Sequence, residues 1–241
     1  MAEPLLTLSG VHTHIGQYHI LQGVDFVVPR GELMMLLGRN GAGKTTALRT
    51  ILGLWKCSAG SIRLEHAELG RMQTPEIAGL GIAYVPETMA IFAGLTVKEN
   101  LVLAARSGAI DESRLETIFN YFPALKKFWF LPSGLLSGGQ KQMLSISRAM
   151  VEPRKLVLID EPTKGLAPSI INNLIEALRG LKETGTTILM VEQNFHAARS
   201  LGDGVAVMDS GRIVHIGRMA DLASDEPLQT RLLGLSLDVH Q

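Results

Sequence analysis

The residues best placed for chemistry lie in a glycine-rich stretch, Gly38-Arg39-Asn40-Gly41-Ala42-Gly43-Lys44-Thr45, followed by Thr46. It fits the phosphate-loop pattern G-x-x-x-x-G-K-[ST]. Glycines let backbone N–H groups curl around a phosphate without Cβ clashes. A helix that starts here aims its N-terminus at the anion. Lys44 supplies a point charge for the β- and γ-phosphates, and Thr45 a hydroxyl for Mg²⁺. In a chain of this length and average composition the pattern arises by chance on the order of once in a hundred. A second candidate is Leu156-Val157-Leu158-Ile159-Asp160-Glu161. The apolar run reads as a strand buried on both faces, and Asp160 emerges at its carboxyl end, where open α/β sheets bind ligands. Asp160 can hold the Mg²⁺ shell through water, and Glu161 is placed to orient and deprotonate an attacking water. Alone the acidic strand end is a weak signal; beside a phosphate loop it is a strong one.

These groups need a frame. Residues 33–37 form an apolar strand entering the glycine loop, and residues 47–54 are compatible with a helix leaving it. Strand, glycine loop, helix is the order a phosphate site requires. Short β-type runs occur at 5–8, 23–28, 60–64 and 81–85, and residues 186–191 are β-rich. Residues 97–122, 140–150 and 170–182 suit helices. Residues 205–209 and 212–216 flank Ser210-Gly211, a hairpin turn signal. Strands alternating with helices predict a mostly parallel sheet covered on both faces. No repeat, linker or low-complexity tract divides the chain, which reads as one compact unit with subdomains.

Composition narrows the class. The chain has 241 residues, 46% of them hydrophobic, so it can bury a sizeable core. Lys plus Arg and Asp plus Glu are 23 each, a formal net charge of zero, which argues against a broadly basic nucleic-acid binder. No run approaches the ~18 apolar residues of a membrane helix, and no secretory signal is visible. Cys57 is the only cysteine, which excludes an internal disulfide. A cytoplasmic protein is expected. The histidines show no H-x₃-H or H-E-x-x-H spacing, so a metal site built from them is not expected. Met34, Met35, Met143, Met150, Met190 and Met208 sit in or beside apolar runs and read as core. The aromatic run Phe128-Trp129-Phe130 reads equally as an exposed contact or as internal packing.

A third motif is Leu136-Ser137-Gly138-Gly139-Gln140. It opens a helix, so Ser137 and the N–H groups after it form a second anion site. With it the chain resembles the ATP-binding-cassette family, whose signature this is. The motif order extends the likeness from about residue 5 to 237: phosphate loop, Glu87 loop, signature, acidic strand end, then a switch at residues 191–194. The resemblance implies a P-loop α/β core of RecA type, an N-terminal antiparallel β-subdomain and a helical insertion at about residues 88–150, within a single domain. It implies an ATPase using ATP and Mg²⁺. Glu161, Lys44 and Gln193 would be catalytic. Residues 38–46, Glu87 and Ser137, Gly138, Gly139 and Gln140 would contact nucleotide, with Thr45, Glu87 and Asp160 on the metal. Two phosphate sites for one γ-phosphate imply a head-to-tail dimer, each ATP lying between one subunit's phosphate loop and the other's signature.

Short matches resemble the branched-chain amino-acid importer ATPases of the LivF type: Val85-Pro86-Glu87, Leu95-Thr96-Val97 with Glu99-Asn100, Gly165-Leu166-Ala167-Pro168 and Val191-Glu192-Gln193-Asn194. Such a chain would work at the inner face of the cell membrane with a second cassette, two permease subunits and, indirectly, a solute-binding protein. Residues 87–100 would meet the membrane subunit, with Met89, Ile91, Phe92 and Leu95 as apolar anchors; a self-packed loop is the alternative. Other readings share the core motifs: a lipid or polysaccharide exporter, or a non-transport cassette acting on ribosomes or DNA. The latter usually carry long coiled coils or a second cassette, and neither is seen here.

Four positions depart from the broad family. Glu87 stands where Gln is usual, adding charge near the γ-phosphate, and Ala167 replaces an Asp. Gln193 stands for His; it can donate an N–H to the γ-phosphate but cannot become cationic. Ile15 occupies the position of the aromatic that stacks on adenine. The favoured expectation is apolar packing of Ile15 on the base with Tyr18 at the surface; the alternative is that nearby Tyr18 or His14 substitutes after a loop shift.

Overall fold

The computed structural model describes residues 3–234. Residues 235–237, the end of the expected domain, lie outside them. The chain opens with β1 (Pro4–Ile15) and β2 (Tyr18–Pro29), then β3 (Leu33–Leu37), α1 (Lys44–Ile51), β4 (Cys57–Leu64) and β5 (Ala67–Glu68). Next come α2 (Thr74–Gly79), β6 (Ile82–Val85) and an excursion of α3 (Val97–Val102), α4 (Glu112–Tyr121), α5 (Pro123–Lys127) and α6 (Gly138–Met150). The chain then alternates through β7 (Leu156–Asp160), α7 (Pro168–Glu183), β8 (Thr187–Val191), α8 (Phe195–Leu201) and β9 (Gly204–Asp209). It closes with β10 (Arg212–Arg218), α9 (Met219–Ser224) and α10 (Glu226–Leu233).

Two sheets result. The larger has order β10-β9-β3-β8-β7-β6, parallel except for the antiparallel edge strand β10. The smaller is antiparallel, order β2-β1-β4-β5. Every residue of β3, β7 and β8 is buried, as strands covered on both faces require. One core packs Leu33, Met35, Val157, Ile159 and Met190 against α6, α7 and α8. The other traps α1 between the two sheets, with Leu36, Leu48, Leu158 and Val191 meeting Leu6, Val11, Val24 and Ile62. The fold is therefore a RecA-like P-loop core with an N-terminal antiparallel β-subdomain and helices inserted between β6 and β7. All six methionines read as core are buried. The hairpin β9–β10 turns on Ser210 (φ 46°) and Gly211 (φ 76°), the left-handed pair of a type I′ turn.

Several elements differ from the sequence expectation. β1 and β2 run 12 residues each, far beyond 5–8 and 23–28, because register shifts at several points break the alternation that marks a strand. The helix-compatible stretch 97–122 is two helices; a turn with Gly108 at φ 71° interrupts it, and Asp111 caps the second by accepting from Ser113 and Arg114 N–H groups. Helix α1 starts at Lys44, not residue 47, because the glycine loop feeds directly into it. It stops at Ile51, before Gly53 at φ 68°.

Candidate functional site

The carboxyl ends of β3, β7 and β8 face one edge of the sheet, and the chemistry-bearing side chains collect there. After β3 the loop turns through Gly38 (φ 147°), Gly41 (φ 79°) and Gly43 (φ 107°). A Cβ at Gly38 would sit 2.1 Å from the Met208 carbonyl oxygen, so only glycine fits. Gly43 is the N-cap of α1 and offers no side-chain cap, which leaves the first-turn N–H groups available to an anion. Ala42 is buried, and its carbonyl accepts from Gly211 N–H at 2.9 Å, which fixes the loop against the β9–β10 hairpin. Arg39 and Asn40 form the exposed crest of the loop, and Thr46 continues the first turn of α1.

Lys44 is buried; its ammonium donates to the carbonyls of Gly38 (2.8 Å) and Arg39 (3.0 Å) and stands 4.0 Å from Glu161 Oε1. Burial draws its pKa below the ordinary lysine range, against the pull of Glu161 and Asp160. Thr45 Oγ1 donates to Asp160 Oδ1 at 3.0 Å, and the Tyr84 hydroxyl to Asp160 Oδ2 at 3.3 Å. Burial pushes the Asp160 carboxyl up, with the two hydroxyls opposing. Burial, then Asp160, pushes the Tyr84 phenol up to about 12. Thr45 and Asp160 thus present two hard oxygens at one point, the donor type that Mg²⁺ takes. Glu87 does not join them: its Oε1 accepts from Lys164 Nζ at 2.6 Å.

Glu161 follows β7 with φ 46°, a left-handed conformation costing about 1–2 kcal/mol for a residue with a Cβ. Gln193 Nε2 donates to Glu161 Oε1, so the expected base and switch residues meet. Sequence reasoning gave no role to the group behind them. Glu192 is buried at the end of β8 and accepts from Thr163 N–H (3.0 Å), Gln193 N–H (2.9 Å) and Asn194 N–H (3.0 Å). It staples the loop after Glu161 to the loop bearing Gln193. Burial raises its pKa, and those N–H groups oppose the shift. An acid ending an apolar strand, the pattern that singled out Asp160, was the available signal for Glu192 too.

Ser137 and Gln140 bond each other across Gly138 and Gly139. Ser137 Oγ accepts from Gln140 N–H at 3.3 Å, and Gln140 Oε1 accepts from Ser137 N–H at 2.9 Å, a reciprocal capping box. Ile15 is half-buried at the β1–β2 turn, paired with an exposed Tyr18. His14 stacks on His19 at 4.2 Å and bonds Ser58. Phe128 and Trp129 pack inward while Phe130 is exposed, so the aromatic run divides between its two readings. Of the loop anchors, Ile91 packs on the core and Phe92 is half-exposed. No helix among the described residues is long and apolar enough to cross a membrane.

The arrangement suits one chemistry: anion capture by backbone N–H groups, a lysine, a hard-oxygen pair and a glutamate held by an amide. A family model described as "ABC transporter" matches residues 21–164. A high-affinity branched-chain amino acid transport ATP-binding protein, BraG of Pseudomonas aeruginosa, is 38% identical over 95% of this chain and 100% of its own. A probable branched-chain amino acid transport ATP-binding protein, LivF of Archaeoglobus fulgidus, is 33% identical over 91% of this chain and 94% of its own. A solved ATP-binding subunit of an ABC transporter superposes with a TM-score of 0.80 at 32% identity, covering 97% of this chain and 96% of the other.

Proposed function

This chain belongs to the ABC transporter family as an ATP-hydrolysing subunit, and from that premise we propose that it powers import of branched-chain amino acids or a related small polar solute. The observation that carries the reading is the meeting of Glu161 and Gln193 at the edge where Lys44, Thr45 and Asp160 also converge. In this reading the glycine loop and Lys44 bind the phosphates of ATP, and Ile15 packs against adenine. Thr45 and Asp160 would hold Mg²⁺, which when bound neutralises phosphate charge; Glu87 reaches it only after leaving Lys164. Glu161 accepts the proton of the attacking water, Gln193 holds Glu161 in place and donates toward the γ-phosphate, and Glu192 fixes the distance between their loops.

The cassette spans residues 5–237 with its helical part at about 88–150. The Ser137 helix start serves the nucleotide of a second cassette, identical or different, in a head-to-tail pair. Two integral membrane permeases receive the motion near residues 87–100, and a solute-binding protein acts through them; the chain sits at the cytoplasmic face of the membrane. The likeness over nearly full length to two branched-chain amino acid transport ATP-binding proteins favours transport over a ribosome- or DNA-directed cassette, and an amino-acid solute over a lipid or polysaccharide.

The experiment is affinity capture of tagged Glu161→Gln protein, with ATP and Mg²⁺, from detergent-solubilised native membranes. Two polytopic proteins and a second cassette are expected. Recovery of ribosomal proteins or DNA without a membrane subunit would overturn the transport reading.

A further inference from the structure

Four carboxylates gather at the edge proposed to take a polyphosphate. Asp160, Glu161 and Glu192 are buried, and Glu87 reaches in from the loop after β6. Adding a triphosphate raises the negative charge further, so the cations here decide whether the site is usable. Lys44 is already engaged with two loop carbonyls and stands 4.0 Å from Glu161.

The other cation in contact is Lys164. Its ammonium lies 2.6 Å from Glu87 Oε1 and 3.6 Å from Glu161 Oε2, touching carboxylates that belong to different loops. Its backbone is placed for this: Lys164 N–H donates to the Glu161 carbonyl at 3.3 Å, so its stem rises from the turn that presents Glu161. The side chain is 60% exposed, so a long flexible stem carries the ammonium to both acids.

We infer that Lys164 is the charge-compensating positioning residue that makes a carboxylate at position 87 compatible with nucleotide binding beside Glu161. It bridges the two acids, draws Glu87 aside from the Thr45–Asp160 pair and offsets the charge Glu87 brings. The inference rests on the proposed nucleotide reading of this edge. It predicts that Lys164 matters because Glu87 is a carboxylate, not because the chain needs a lysine to fold.

The test is a double-mutant cycle read by titration calorimetry with a non-hydrolysable ATP analogue and Mg²⁺. Lys164→Met, Glu87→Gln, their combination and the charge-keeping Lys164→Arg are compared. Lys164→Met is expected to weaken binding by about tenfold at low salt and by less at high salt, as a partly screened charge effect should. In the Glu87→Gln background the same change should cost about twofold or less, and Lys164→Arg should retain most of the affinity. Equal losses in both backgrounds, or no loss in either, would overturn the inference. Failure of the unaltered protein to bind the analogue would instead bring down the nucleotide reading beneath it.

Discussion

The chain carries two helix starts of similar glycine-rich type, and they are built in opposite ways. Helix α1 begins behind Gly43 in left-handed conformation with no side-chain cap, wedged between two sheets. Helix α6 begins behind Ser137 with a complete capping box, its loop largely exposed. The first is unfinished as a piece of protein, and an anion at its N-terminus completes it. The second is finished without any ligand and can only lend its N–H groups outward. In the proposed reading, the loop that seizes phosphate leaves its donors uncapped, and the one that serves a partner's phosphate closes its own cap.

That contrast can be broken or sharpened by substitution. The largest effect belongs beside α1. Glu161→Gln should lower ATP turnover by about 10²–10⁴-fold while binding persists, read by phosphate release beside nucleotide titration. Turnover near the unaltered rate would remove Glu161 from the base role. Next comes a matched glycine pair. Gly38→Ala drives a methyl to 2.1 Å from the Met208 carbonyl and should cost about 1–3 kcal/mol in denaturant unfolding. Gly138→Ala meets nothing within 4 Å and should stay within about 0.5 kcal/mol. Equal costs would erase the distinction between the two starts.

Ser137→Ala removes one arm of the capping box and should cost about 1 kcal/mol, a melting shift of about 2–4 °C. A shift of many degrees would mean that the signature loop supports the fold beyond its own helix. The smallest effect lies away from both loops. Glu65 accepts from Lys155 and Arg30, at 2.8 Å each, and these partners lower its carboxyl from 4.5 to about 2. A depressed acid contributes stability above its unfolded pKa and loses it as pH falls through the folded one. The gap in melting temperature between wild type and Glu65→Gln should therefore be full above about pH 5 and close towards pH 2. A gap unchanged across that range would show the pairs to be idle.

The legible parts were those whose physics is local. β3, β7 and β8 are short apolar runs buried on both faces, and their bounds fall within a residue of the sequence reading. The phosphate loop and the Ser137 helix start are likewise written in consecutive residues. β1 and β2 were read short because bulges scramble the alternation a strand shows. The break between α3 and α4 carries local marks, Gly108 in left-handed conformation and the Asp111 cap, which the apolar spacing on either side masks. Lys164 and Glu192 acquire their partners across 77 and 29 positions. Nothing in a linear pattern pairs Lys164 with Glu87.

The loop that carries Glu87 continues into Met89 and Ala90, both left-handed, at φ 63° and 47°. The Ser145 hydroxyl holds the Met89 carbonyl at 2.8 Å, and the Arg148 guanidinium holds the Ala90 carbonyl at 2.6 Å. Both grips come from α6, the helix that Ser137 starts. Because they close on main-chain oxygens, the grips touch no side chain at 89 or 90, and what those positions must supply is a backbone that accepts the left-handed region. Ser145 and Arg148 thus tie the loop that carries Glu87 to the helix that carries the Ser137 start, so a shift of one is felt by the other. Exchange at the two gripping residues would free both carbonyls and leave the loop to be placed by its own turn.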